Sequence, residues 1–151
     1  GVQVQLILRA ICCLRPGIAA QTANIHVTSI VGRFLEHGRI YRFGRDKDVK
    51  LFIASADLMT RNLNHRVEIA CPVYDPAVKE MLLKILHTQL EDNVKASSLL
   101  PDGSYCRKVN TLTPCDSQEV FMTSSLHPLA ALPEKPDALR RFLHGLRGRK
   151  K

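Results

Sequence analysis

The sequence lacks tryptophan, and aromatic residues make up only 5% of its 151 residues. Aromatic stacking is a main way of holding unpaired bases, so this composition argues against a specific nucleic-acid partner. No apolar run approaches the ~18 residues of a transmembrane helix, and the start of the chain does not resemble a signal peptide. We therefore expect a cytoplasmic protein.

Paired cysteines are also missing. The five cysteines are an odd number, none forms a CxxC pair, and Cys12 and Cys13 are adjacent, which disfavours a disulfide between them. This usage is typical of reduced thiols in a cytosolic protein. We predict no metal site built from this chain's residues.

The length of the chain suits one domain. Because its first residue is Gly1 rather than methionine and leads directly into a strand-like run, we expect a segment of a longer protein. The net charge is +8 and is unevenly distributed: residues 1–66 carry ten Lys/Arg against four Asp/Glu, and residues 137–151 carry six against one. Such basic regions favour an anionic partner, namely phosphates, nucleic acid or the inner surface of a membrane.

The stretch 33–68 holds the residues best suited to chemistry. His37 precedes a strand-like run, a small-residue turn at 55–57 follows the next one, and several arginines lie nearby. Imidazole exchanges a proton or accepts a phosphoryl group near neutral pH. Guanidinium groups bind phosphate oxygens two at a time. Small residues at a strand end let backbone N–H groups approach an anion. The pattern predicts a phosphate-handling site built on strands.

Alternation and β-rich composition predict strands at 2–8, 25–31, 40–43, 49–54 and 67–71, with an edge strand at 105–109. Asp75 and Pro76 predict the N-cap and first position of a helix whose apolar residues recur at helical spacing up to Leu90. Residues 61–66 are expected in a loop. We find no sustained periodicity at 110–136, and expect a short helix at 139–146 before the basic end.

Four blocks carry a resemblance to a known family. They are LILRAICCLRPG (6–17), TSIVGRFLEHGRIY (28–41), IASADLMTRNLNHRVEIACPVYDP (53–76) and DNVKASSLLPDGSY (92–105). In this order they resemble the C-terminal part of the catalytic region of the histidine-dependent polyphosphate kinases. The resemblance covers residues 1–109, and residues 110–151 form a variable, partly disordered basic tail in this interpretation. It implies a phospholipase D-like α/β fold, with a mixed sheet flanked by helices and truncated at its N-terminal edge.

In phospholipase D, two histidine half-motifs meet across two similar domains. His37, Gly38 and Arg39, followed by the turn at 55–57 and Glu68, resemble the second half-motif. Arg39 stands where phospholipase D has lysine, and Asp57 where it has asparagine. Both departures argue against phosphodiester hydrolysis and agree with the kinase branch.

By resemblance, the parent is a bacterial kinase and phosphoprotein that reversibly transfers the ATP terminal phosphate to inorganic polyphosphate through a phosphohistidine, with Mg²⁺. The nucleophilic histidine and most Mg²⁺ contacts lie outside this chain, so we expect the chain alone to be inactive. The resemblance implies partners in ATP or ADP, polyphosphate, the remaining domains of the parent and a second copy of the parent in a homo-oligomer. Peripheral contact with the inner membrane face is also left open.

The resemblance makes His37 the second catalytic histidine, in contact with the transferred phosphate, and Arg9 a phosphate-binding residue. A second histidine can protonate the departing oxygen or stabilise the charge on the transferred group. We expect Arg9, His37 and the turn at 55–57 to meet at one sheet edge. Supporting residues with no assigned contact are Arg33, Arg39, Ser55, Asp57, Arg61, Arg66 and Glu68; one or more of the arginines would instead pair with Glu36, Asp57 or Glu68.

Two other functions remain open from the residues. The basic regions would suit a module that binds polyphosphate or nucleic acid without chemistry. The half-motif would suit a phospholipase D-like phosphodiesterase, against which Arg39 and Asp57 argue.

Overall fold

Short β-rich runs build two separate sheets in the computed structural model, which describes residues 1–9, 12–45, 48–108 and 113–126. Two units are distinguished along the chain: Gly1–Leu35 with the residues from His87 onward, and Glu36–Leu86. The predicted helix at 139–146 and the basic end lie outside the described residues. In chain order the elements are β1 (Val4–Leu8), β2 (Ile25–Ile30), β3 (Ile40–Phe43), β4 (Lys50–Ala54), α1 (Thr60–His65), β5 (Ala70–Val73), α2 (Pro76–Glu91), β6 (Ala96–Leu99), β7 (Tyr105–Arg107) and α3 (Ser117–Leu126).

The first unit contains a mixed four-stranded sheet in the order β1-β2-β6-β7. β1 and β2 run parallel, while β6 and β7 are antiparallel to their neighbours. Its buried apolar residues come from the two central strands: Val27, Ile30, Ala96 and Leu99. The predicted α/β fold with a mixed sheet is confirmed in this unit.

The second unit contains an antiparallel three-stranded sheet in the order β3-β4-β5. Gly44 allows the tight turn after β3, because its φ is +84° and a Cβ there would lie 2.4 Å from the carbonyl oxygen of Asp48. Leu51 of β4 is 1% exposed and anchors the sheet. Asp75 caps α2 as predicted, accepting a 2.9 Å hydrogen bond at Oδ1 from the backbone N–H of Val78.

Some predicted elements differ from the structure. β5 begins at Ala70, three residues later than predicted, and the predicted loop at 61–66 is mostly the helix α1. β6 and α3 are not predicted at all. α1 buries only Asn62 and α3 buries Ser117 and Gln118, so neither helix presents the apolar stripe on which a sequence prediction depends.

A buried carboxylate joins β6 to α3. Asp92 is fully buried, and its Oδ1 accepts hydrogen bonds from the backbone N–H groups of Val94, Lys95 and Ala96 at 2.7–3.1 Å. Its Oδ2 accepts from the backbone N–H and the hydroxyl of Ser117 at 2.9 and 2.7 Å. We call this group the Asp92 node. Burial favours a higher pKa for Asp92, but these hydrogen bonds outweigh it and hold the pKa below its ordinary value.

Gln118, which follows Ser117 in α3, holds the backbone of Phe34 near the end of the first segment of the first unit. The side-chain amide of Gln118 accepts from the N–H of Phe34 at 3.0 Å and donates to the Phe34 carbonyl at 2.9 Å. Gly32 makes room for this amide, because a Cβ at Gly32 would lie 2.4 Å from its Oε1. α3 is therefore part of the first unit, although it follows residue 109, where the sequence predicted a domain boundary.

Candidate functional site

The hairpin of β3 and β4 brings the two parts of the predicted half-motif together. The strands pair with Ile40 opposite Ile53, and the N–H of Ala54 donates to the carbonyl of Arg39 at 3.0 Å. The residues before β3 therefore lie beside those after β4. His37 and Arg39 precede β3 and the turn at 55–57 follows β4, so their spacing in the sequence becomes proximity in the fold.

Arg39 links this turn to the backbone of His37. Its Nε and one terminal nitrogen lie 3.0 and 2.9 Å from Oδ1 of Asp57, and its other terminal nitrogen donates to the His37 carbonyl at 2.7 Å. The side chains of Arg39 and Asp57 are 22% and 32% exposed, so the pair is partly shielded from water. Arg39 pairs with Asp57, one of the carboxylates that the sequence left open as its partner.

Glu68 organises the other side of the turn. Its carboxylate accepts hydrogen bonds from the Ser55 hydroxyl and from Nδ2 of Asn62, the latter at 2.7 Å. The Ser55 hydroxyl in turn accepts from the N–H of Ile69 at 3.0 Å. The hydrogen bond from Ser55, followed by that from Asn62, lowers the pKa of Glu68 below its ordinary value. Glu68 is thus a carboxylate at neutral pH.

Two residues of this network were not among the predicted site residues. The Tyr41 hydroxyl donates to the Ala56 carbonyl at 3.2 Å, and its pKa is raised by burial and by the charge of Asp57, against the opposing effect of Arg39. Asn62 is 4% exposed, and its Oδ1 has no hydrogen-bond partner in the described part of the chain. Only their closeness in sequence to His37 and Glu68 could have indicated them.

The His37 ring takes no part in the hydrogen bonds of this network. The residue is exposed, and its imidazole makes no hydrogen bond to any described residue, while its carbonyl is held by Arg39. An exposed imidazole can donate or accept a proton, or contact a phosphoryl oxygen. We call His37, Arg39, Ser55, Asp57 and Glu68 the His37 site.

The remaining predicted site arginines lie in different places. Arg61 is exposed on α1, and Arg66 directly follows that helix, where its charge helps to lower the pKa of Glu68. Arg33 belongs to the first unit: its guanidinium lies 5.4 Å from the centre of the Phe34 ring and 3.9 Å from Sδ of Met122.

The prediction that Arg9, His37 and the turn at 55–57 meet at one sheet edge is wrong. Arg9 follows β1 in the four-stranded sheet, whereas the turn at 55–57 follows β4 in the three-stranded sheet. The two strands belong to different sheets because β3 pairs with β4 rather than with β2. Arg9 is half-buried at the carboxyl end of the parallel pair β1 and β2, where open α/β sheets commonly bind ligands.

The residues present do not fit a Mg²⁺ site. In 1–9, 12–45, 48–108 and 113–126, no three His, Cys, Asp or Glu side chains are grouped so as to hold a metal ion. Asp57 and Glu68, the carboxylates of the His37 site, are already bound by Arg39, Ser55 and Asn62. Within the same residues, no helix has the length and apolar character needed to cross a membrane.

The mixed four-stranded sheet, together with the helices, defines an α/β protein. The structure matches the crystal structure of polyphosphate kinase from Porphyromonas gingivalis with a TM-score of 0.77 and 38% sequence identity, covering 85% of this chain and 20% of that one. Residues 1–118 match the family "Polyphosphate kinase C-terminal domain 2", and the chain belongs to this family.

Curated relatives agree with this membership. The chain is 47% identical over 122 residues to polyphosphate kinase 1 of Chlorobaculum tepidum, and 42% identical over 137 residues to polyphosphate kinase of Synechocystis. These alignments cover 81% and 91% of this chain, but only 18% and 19% of the relatives. The chain thus spans less than a fifth of their length. The predicted family is confirmed.

Proposed function

We propose that this chain supplies the second-histidine half of a polyphosphate kinase active site. The parent enzyme would transfer the ATP terminal phosphate reversibly to inorganic polyphosphate through a phosphohistidine formed on a histidine outside this chain. The observation that carries the proposal is the exposed His37 ring, whose own backbone is fixed by Arg39 and Asp57. Such fixing reduces the freedom that a catalytic group loses on reaching its reactive position.

In this mechanism, His37 acts on oxygens rather than on phosphorus. As the phosphoryl group moves between ATP and the nucleophilic histidine, the His37 side chain donates a hydrogen bond or a proton to the departing phosphate oxygen. Arg9 binds phosphate oxygens, and the exposed Arg61 and Arg66 add positive charge. Arg39 is a positioning residue, because Asp57 and the His37 carbonyl already occupy its guanidinium.

The pairing of Arg39 with Asp57 argues against the phosphodiesterase alternative. In the phospholipase D pattern, the corresponding lysine and asparagine would leave a cation without a neighbouring carboxylate. Here the two replacements neutralise one another at 2.9 Å. The binding-module alternative explains the basic charge of the chain, but gives no reason for a histidine whose backbone is held so closely.

Mg²⁺ and most contacts to ATP belong, in this proposal, to parts of the parent outside the chain. We also propose a cytoplasmic parent, peripheral to the inner membrane face, that assembles as a homo-oligomer. The isolated chain would lack transfer activity because it lacks the nucleophilic histidine.

A substrate comparison tests the proposal. The full-length parent is assayed for transfer of phosphate from ATP to polyphosphate and for hydrolysis of a generic phosphodiester, with the isolated chain alongside. We expect transfer by the parent, no diester hydrolysis and no activity in the isolated chain. Diester hydrolysis without transfer would establish the phosphodiesterase instead, and self-phosphorylation of the isolated chain at His37 would contradict the half-site.

A further inference from the structure

A groove on the four-stranded sheet carries cations and hydroxyls that the His37 site does not use. Its volume is about 390 Å³, within the range of small-molecule sites. It lies entirely in the first unit and is lined by Ser29, Val31, Lys95, Ser97, Tyr105 and Arg107. None of these residues belongs to the His37 site.

Strand pairing places the polar groups of the groove in one row. Ser29 of β2 is paired with Ser97 of β6, which is paired with Arg107 of β7. Residues directly opposite one another on neighbouring strands project from the same face of a sheet. Two hydroxyls and a guanidinium therefore cross three strands side by side. Lys95, just before β6, adds a second cation to the groove.

These side chains have no polar partners within the described part of the chain. No hydrogen bond or ion pair joins the side chains of Ser29, Ser97, Lys95 or Arg107 to another described residue. Ser29 as a residue is only 7% exposed, and it lines the groove. A hydroxyl in a groove without a protein partner is available to donate a hydrogen bond to a ligand oxygen.

No carboxylate lines the groove. The nearest acidic residue along the chain from Lys95 is Asp92, whose two oxygens already accept five hydrogen bonds in the Asp92 node. The positive charges of Lys95 and Arg107 therefore face the groove without a paired carboxylate. An anion with several oxygens is the ligand that two cations and two hydroxyls satisfy best.

We propose that this groove binds a short run of linked phosphates. Lys95 and Arg107 bind the charged oxygens, and the hydroxyls of Ser29 and Ser97 donate hydrogen bonds to them. The nature of the anion rests on the proposed function; the groove and its polar groups do not. Linked phosphates could come from inorganic polyphosphate or from the triphosphate of a nucleotide, and the two sources are separable by experiment.

The test measures tripolyphosphate binding to the full-length parent by isothermal titration calorimetry. The variant combines Lys95→Gln with Arg107→Gln, and the control combines Lys50→Gln with Lys79→Gln, which removes the same charge from residues that do not line the groove. Because charge-assisted hydrogen bonds contribute about 1.5–3 kcal/mol each, we expect one class of sites to weaken at least about tenfold in the variant. Circular dichroism checks that both variants fold.

Parallel titrations with ATP and with a thymidine oligonucleotide of equal charge complete the experiment. If the variant loses affinity only for tripolyphosphate, the groove binds inorganic polyphosphate. If it loses affinity equally for ATP, the groove binds linked phosphates in general. Both results support the site. Unchanged tripolyphosphate affinity and stoichiometry would overturn the inference, as would an equal loss for the oligonucleotide, which indicates nonspecific charge attraction. A parent that binds through the groove but transfers no phosphate would refute the proposed function alone.

Discussion

The two units each contain a network built around carboxylates, but the networks differ in what they leave accessible. In the Asp92 node, a fully buried carboxylate accepts five hydrogen bonds, and every partner is a backbone N–H or the Ser117 hydroxyl. In the His37 site, Asp57 and Glu68 are partly exposed and bind side chains that hold a turn and the backbone of His37. The histidine ring makes no hydrogen bond to the described residues.

The difference shows how one kind of interaction serves two purposes. Where the carboxylate is buried and satisfied entirely by backbone groups, it joins elements of the fold and leaves no group for a ligand. Where it is partly exposed and satisfied by side chains, it fixes the surroundings of a histidine that still reaches solvent. We therefore expect substitutions in the first network to change stability and those in the second to change activity.

Removing the buried carboxylate gives the largest expected loss of stability. Asp92→Ala leaves three backbone N–H groups of the β6 start and the Ser117 donors without partners. We expect the free energy of unfolding to fall by about 3 kcal/mol, measured by chemical denaturation. Asp102→Ala is the control, since that exposed carboxylate binds only Ser104 within its own turn. Equal losses in both variants would contradict the structural role of the node.

The same carboxylate makes the free energy of unfolding depend on pH. The pKa of Asp92 in the folded chain lies below its ordinary value of 3.8, so its contribution is complete above that pH and is lost as the pH falls through the folded pKa. The stability difference between the wild type and Asp92→Asn should therefore be constant near neutral pH and shrink below about 3.8. Denaturation curves from pH 7 to pH 3 measure it. A difference that grows on acidification would be inconsistent with a lowered pKa.

Breaking the exposed network should affect activity more than stability. Arg39→Ala removes the bonds to Asp57 and to the His37 carbonyl, so the histidine loses its fixed position. We expect transfer by the parent to fall about 100-fold, the cost of a misplacement near 1 Å, with a change in unfolding free energy of about 1 kcal/mol or less.

Two comparisons isolate this effect. Arg39→Lys should recover only part of the activity, because lysine cannot reproduce the forked contact. Arg45→Ala, at an exposed turn position, should leave transfer unchanged. Full activity in Arg39→Ala would mean that the backbone of His37 needs no such support.

A smaller effect is expected within the first unit, where Gln118 of α3 binds the backbone of Phe34. In Gly32→Ala, the new Cβ would displace the Gln118 amide from Phe34, breaking two hydrogen bonds. We expect a loss of about 1–2 kcal/mol in unfolding free energy. Gln118→Ala should lose a similar amount, and the double variant little more than either, since both remove the same contact. If the two losses in unfolding free energy add in the double variant, the shared contact between Gln118 and Phe34 is not their cause.

The sequence predicted the elements that carry regular apolar patterns or clear end signals. β3 is found at its predicted residues because alternation precedes the glycine turn, and α2 begins where Asp75 and Pro76 indicate. The sequence also grouped Arg39, Asp57 and Glu68 with His37 in one half-motif, without assigning their contacts. The structure adds these contacts, from Arg39 to Asp57 and to the His37 carbonyl and from Ser55 to Glu68, while the role of the site stays a prediction.

The rest depends on long-range burial of polar residues. β6 reads ASSL and α3 begins with the buried residues Ser117 and Gln118, so hydrophobic periodicity indicates neither. Asp92 resembles any surface aspartate in the sequence, and only the fold shows its five donors. The assignment of β1, which precedes Arg9, and of β4 to different sheets likewise depends on strand pairing, which local patterns do not determine.

We propose that the network of Arg39, Asp57, Ser55 and Glu68 presents the His37 ring for phosphoryl transfer. The most direct test measures ATP-to-polyphosphate transfer per folded molecule in the full-length parent carrying His37→Ala. Because the ring makes no hydrogen bond to the described residues, the melting temperature should stay within about 2 °C of wild type. Transfer should fall at least about 1000-fold. Near-normal turnover in the folded variant would contradict the account and make His37 an ordinary surface residue.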